Sequence, residues 1–98
     1  MKTYEIMYIL SPNLDEKQVN NIEKNINNIF DKEGKILEYK KPELKTLAYS
    51  IKKFTQGFYI NFLVQADNEM IKEFNRIVNI TEEIIRYIVL KKEDNKEL

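Results

Sequence analysis

The side chains able to do chemistry in this chain are lysines, carboxylates, tyrosines and hydroxyls, because it contains no Cys and no His. Those absences remove thiol nucleophiles, disulfides, thiolate metal sites and the commonest general base near neutral pH. The groups that remain form no convergent acid–base pair and no Gly-rich phosphate loop, so neither catalysis nor a metal or cofactor is expected. Adjacent carboxylates such as Glu82 and Glu83, or Asp31 and Glu33, fall in predicted helix ends and loops and read as solvated surface charge. What the residues can do is attract. Between 35 and 53, Lys35, Lys40, Lys41, Lys45, Lys52 and Lys53 stand against only Glu38 and Glu43, a net charge of +4 in a chain whose formal net charge is zero. Lysine attraction for phosphate requires no readout of bases, which makes the segment a phosphate-binding candidate. The plainer alternative is that lysines on a strand edge discourage pairing with another chain.

Such residues need a scaffold. A chain of 98 residues, 43% apolar and 33% charged, suits one small domain with a single core, expected over 1–91 with a charged tail at 92–98. Met1 to Leu10 is too short to cross a bilayer and lacks a small-residue cleavage site, so no membrane association or export is expected. Thr3 to Leu10 is β-branched and aromatic and stops at Ser11-Pro12-Asn13, the pattern of a strand ended by a turn. Asp15 and Gln18 have the spacing of a capping box, with Leu14 and Val19 placed for a hydrophobic staple. The helix that follows carries Val19, Ile22, Ile26, Ile29 and Phe30 on one stripe and runs to about Glu33, where Gly34 is expected to end it in the left-handed conformation. Ile36 to about Tyr49 reads as a second strand, and Lys40, Lys41 and Pro42 put it at a sheet edge. Thr55-Gln56-Gly57 is expected to turn the chain into Phe58 to Gln65, with Phe58, Ile60, Phe62 and Val64 facing the core. A second helix capped by Asn68 carries Met70, Ile71, Phe74, Ile77 and Val78 and ends near Asn79. Ile84 to Leu90 is the last strand, with Ile85, Tyr87 and Val89 on one face.

The order β-α-β-β-α-β, joined by right-handed crossovers, gives an α+β, ferredoxin-like domain: a four-stranded antiparallel sheet with both helices on one face. Parity leaves Glu5, Met7 and Ile9, Tyr59, Asn61 and Leu63, and Arg86, Ile88 and Leu90 on the uncovered face. These are more apolar than a water-facing sheet requires, so Met7, Ile9, Tyr59, Asn61, Leu63, Ile88 and Leu90 are expected to contact a partner. Gln56 to Phe62 shares only a Gly followed by aromatics with the base-stacking strand of RNA-recognition motifs, and protein contact is the better use of the face. Tyr4, Tyr8, Tyr39 and Tyr87 are read as packing residues.

One linear pattern is more specific. Tyr4-Glu5, Pro12, Gly34-Lys35-Ile36, then Lys45-Thr46-Leu47-Ala48-Tyr49-Ser50-Ile51-Lys52-Lys53 and Gly57-Phe58-Tyr59 resemble the family of the sixth protein of the bacterial small ribosomal subunit, over nearly the whole chain. The resemblance implies a cytoplasmic, ribosome-bound structural protein. It further implies docking on the central domain of the small-subunit ribosomal RNA together with the eighteenth small-subunit protein, with no small-molecule substrate. On this pattern Lys45 stands where the family usually has Arg, Lys53 matches a family Lys and Arg86 a basic position; with Lys2 and Lys52 they are the rRNA-binding candidates. Ser50 stands in place of the usual Pro, which frees φ in that loop, and Lys45 lacks the planar fork of Arg. The alternative is a ferredoxin-like regulatory ligand-binding or protein-interaction module, since that fold hosts many functions. A hydrolase of the acylphosphatase kind would need an Arg in a Gly-rich loop after the first strand, where Ser11-Pro12-Asn13 stands instead.

Overall fold

In the computed structural model, which describes residues 2–31 and 33–92, strict alternation along the first strand creates the two faces on which everything else is built. In β1 (Lys2–Leu10), Tyr4, Ile6, Tyr8 and Leu10 point into the core, while Glu5, Met7 and Ile9 point to the other side. The elements that follow are α1 (Glu16–Asp31), β2 (Lys35–Ile51), β3 (Phe54–Ala66), α2 (Asn68–Ile80) and β4 (Ile84–Lys92). The sheet order is β2-β3-β1-β4 with every pairing antiparallel. The βαββαβ order and the edge position of β2 are as the sequence predicts. A single aromatic cluster joins the layers: Tyr8, Phe30, Phe62 and Phe74 are fully buried, and the Phe30 and Phe62 rings meet edge-on at 5.8 Å. Such edge-to-face pairs put a positive ring edge against a negative ring face.

Local chemistry sets the ends of the elements. The Asp15 carboxylate accepts from the Gln18 backbone N–H at 2.8 Å, and Gln18 Oε1 accepts from the Asp15 N–H at 3.0 Å, a reciprocal capping box at the start of α1. For α2 the cap is Asp67 rather than the expected Asn68: its carboxylate accepts from Met70 N at 2.9 Å while its own backbone is extended. The described helix is bounded at Asp31, Glu33 already lies in a turn where the helix was expected to run to about that residue, and Gly34 is not left-handed. Glycine is needed there for space, because a Cβ would stand 2.5 Å from the Gln65 carbonyl oxygen and 2.9 Å from that of Phe30.

Two further departures shape the open face. The turn between β2 and β3 is not at Thr55-Gln56-Gly57 but at Lys52-Lys53, both with positive φ (50° and 72°), and Gly57 lies inside β3. In β4 the register with β1 shifts between Ile9 and Leu10, which pair with Arg86 and Ile84. The extra residue sends Ile85 to the side opposite Ile84, so Ile85 leaves the core face while Tyr87 and Val89 keep to it. β4 also runs through Lys92, one residue into the expected tail; 93–98, the rest of that tail, lie outside the described residues.

Candidate nucleic-acid and partner interface

Lys52 and Lys53 occupy the two central positions of the tight loop between Ile51 and Phe54. Two-residue hairpin loops with φ > 0 at both positions match the right-handed twist of their strands, but the usual occupants are Asn and Gly because a Cβ is crowded there. Two lysines in that place therefore put their ammonium groups at the tip of the β2–β3 hairpin against local conformational preference. Both are exposed.

The hairpin end is held onto the sheet by a small second cluster, in which Leu47, Ile9 and Ile85 are buried together with Ile51, Phe54 and Tyr59 partly buried around them. The β2–β3 register shifts between Thr46 and Ile51, so residues 47–50 bulge out of the ladder, and this lets Leu47 reach over Ile9. Gly57 permits the approach: a Cβ there would lie 2.4 Å from Ile9 Cγ2 and 3.1 Å from the Leu10 carbonyl oxygen. One end of the open face is thus covered by the chain itself. Ile9, expected to touch a partner, is only 2% exposed and is unavailable while Leu47 sits over it.

The remaining expected contact residues stay on the face. Met7, Leu63 and Ile88 are half-buried, Leu90 is 53% exposed, and Tyr59 and Asn61 are partly accessible. Asn61 Nδ2 donates to Glu5 at 3.4 Å, and Lys92 Nζ stands 3.1 Å from the same carboxylate. The hydrogen bond from Lys92, seconded by that from Asn61, holds the Glu5 carboxyl below its ordinary pKa. An apolar strip is therefore rimmed by fixed charge.

Of the five basic candidates, four gather at one end. Lys45 pairs with Gly57 across the hairpin, Arg86 pairs with Ile9, and Lys52 and Arg86 line one cleft together. Lys45 Nζ is 3.3 Å from Glu43 Oε1 and 5.5 Å from the Tyr59 ring centroid, so its charge is partly engaged. Lys2 pairs with Ala66 at the opposite end of β1, about 27 Å from Leu10 at the rise of an extended strand. It cannot share a local phosphate with the other four. Asp15, Glu16, Glu23, Asp31, Glu69 and Glu73 belong to the helical layer and its caps, while at the basic end Glu43 pairs with Lys45 and Glu82 lines the cleft of Lys52 and Arg86. Among the described residues no group of three or more carboxylates could hold a metal ion.

The family model for Ribosomal protein S6 matches residues 3–91. The chain belongs to the ribosomal protein S6 family. It is similar to the small ribosomal subunit protein bS6 of Phytoplasma australiense, 52% identical over 92 residues that make up 93% of this chain and 99% of that protein. The corresponding protein of Campylobacter jejuni is 37% identical over 99 residues, covering 100% of this chain and 79% of its own length. The crystal structure of ribosomal protein S6 from Thermotoga maritima superposes with a TM-score of 0.88 at 29% identity, covering 95% of this chain and 89% of that one. Membership in the family makes this a small-subunit ribosomal protein with a structural and not an enzymatic role. It leaves the regulatory ligand-binding alternative without support.

The sequence reading missed Leu47, Ile85 and Gly57 as the residues that seat the hairpin. The signal available was the pair of β-prone residues Ile51 and Phe54 flanking a two-residue gap, which marks a tight hairpin even without Asn-Gly.

Proposed function

We propose that this chain binds small-subunit ribosomal RNA jointly with a partner protein, which the family resemblance implies is the eighteenth of that subunit. The hairpin lysines meet RNA phosphates and the apolar strip of the open sheet holds the partner. The observation that carries this reading is the pair Lys52-Lys53 held at positive φ on a hairpin tip, beside Arg86 and Lys45 and away from the acidic helices. Residues kept in a sparsely populated conformation are concentrated at functional sites, where the surrounding fold holds them. Zero net charge leaves little long-range attraction for RNA, so the partner is needed to bring enough contact area and charge together. On this account Met7, Leu63, Ile88 and Leu90 form the partner strip, while Lys45, Lys52, Lys53 and Arg86 serve the RNA and Lys2 is a separate, remote contact.

Gel-shift titration with the central-domain RNA provides the test. The chain alone should bind weakly at physiological salt, the partner alone likewise, and the two together tightly. Tight, partner-independent binding by this chain would sink the joint mechanism.

A further inference from the structure

One cleft is left unused by the phosphate contacts. It has a volume of about 160 Å³ and lies where the bulged segment 47–50 overhangs the sheet, lined by Tyr49, Tyr59, Leu47 and Arg86 and, at its border with the partner strip, by Met7 and Ile88. Pockets for drug-sized ligands run to roughly 300–1,000 Å³, so this one suits a single planar ring. Tyr49 is 69% exposed, the most exposed large apolar side chain among the described residues, and among those residues its side chain has no hydrogen bond, ion pair or ring contact. Tyr59 is already faced by the Lys45 ammonium, whereas Tyr49 offers a free ring. No carboxylate lines the cleft, and Arg86, which does, also lines the adjoining cleft with Lys52 and Glu82.

An aromatic face, an apolar floor and a guanidinium, with Lys52 in the adjoining cleft, is a set that takes an unstacked base of single-stranded RNA: the ring stacks, Arg bonds or stacks with the base, and the hairpin lysines hold the flanking phosphates. An apolar protein side chain could fill the same space but would leave the Arg86 guanidinium without a partner. We infer that the cleft between Tyr49 and Arg86 holds one unpaired RNA base. The inference rests on the hairpin being the RNA-facing end of the domain, as proposed above.

The two readings separate in one experiment on the ternary complex with partner protein and central-domain RNA, titrated across a range of salt. Tyr49→Leu should weaken RNA binding about 5- to 150-fold, the worth of a base–aromatic stack, with an unchanged salt slope. Tyr49→Phe, which keeps the ring, should bind as wild type. Lys52→Gly/Lys53→Gly should instead make the slope shallower. If Tyr49→Leu binds RNA like wild type while the lysine variant loses slope, the base site is wrong and the phosphate reading stands; if neither variant changes anything, both fail. If Tyr49→Leu weakens binding of the partner in the absence of RNA, the cleft holds a protein side chain and the inference is overturned. Thermal melts of Tyr49→Leu and Tyr49→Phe should coincide with wild type, as expected for so exposed a ring.

Discussion

Gly57→Ala asks whether the hairpin is clamped to the sheet in the way described. The added methyl would stand 2.4 Å from Ile9 Cγ2, 3.1 Å from the Leu10 carbonyl oxygen and 3.7 Å from Ile85 Cδ1. Ile9 is 2% exposed under Leu47, so it has no free volume to rotate into, and the carbonyl belongs to a paired strand. Overpacking of this kind costs about 1–3 kcal/mol. Removing a glycine from a strand returns roughly 0.5–1 kcal/mol of chain entropy. The net loss is about 0–2.5 kcal/mol and a little over 1 kcal/mol at mid-range, which lowers the Tm of a domain of this size by roughly 5–10 °C. Circular dichroism melts of wild type, Gly57→Ala, Ile9→Ala and the double variant give the answer. Ile9→Ala removes the clashing Cγ2, so the double variant should be more stable than the sum of the two single losses by about 1 kcal/mol. A Gly57→Ala protein melting above wild type, or strict additivity in the cycle, refutes the clamp.

Other outcomes follow from particular side chains. The Tyr8 hydroxyl is buried beside that of Tyr39, which donates to Glu23 at 2.5 Å, and receives no well-formed hydrogen bond itself. Tyr8→Phe keeps its ring contacts and should leave stability unchanged or raise it by about 1 kcal/mol in urea denaturation. Burial, followed by the bond to Glu23, raises the Tyr39 pKa above its ordinary value, and burial raises that of Tyr8. Both tyrosines thus give up their protons more readily in the unfolded chain, so their contribution is intact below about pH 10 and fades as pH climbs from there toward the raised folded values; Tyr39→Phe should flatten that alkaline loss. Asp67→Ala removes the bond to Met70 N and should cost about 1 kcal/mol, whereas Asn68→Ala should cost little, as a melt of each would show.

The fold was readable because its signals are local and agree with one another. Alternation in residues 3–10 and 58–65, two helical stripes and the Asp15–Gln18 capping box each point to the same topology. What escaped were features set by distant neighbours. Gly34 looks like a helix terminator by type, yet its role is decided by the Gln65 carbonyl, thirty-one positions along the chain. Ile85 looks like the core partner of Tyr87 by parity, until the bulge opposite Ile9 moves it to the other side. The covering of Ile9 by Leu47 depends on a register shift in an unusually long hairpin, which no periodicity encodes. Lys45, Lys52 and Lys53 were visible as a basic segment, whereas Arg86 and Lys2 entered only through the family resemblance; that four of the five converge and Lys2 does not is a matter of pairing.

Salt titration of RNA binding, with the partner present, compares wild type with Lys52→Gly/Lys53→Gly. Glycine suits both positive-φ positions, so the variant should melt at or above wild type and any binding change reports the lost charges. Each lysine on a phosphate adds about 0.7–0.9 to the slope of log K against log salt. The variant's slope should therefore be shallower by about 1.4–1.8; an unchanged slope at unchanged affinity contradicts the hairpin as a phosphate-binding element.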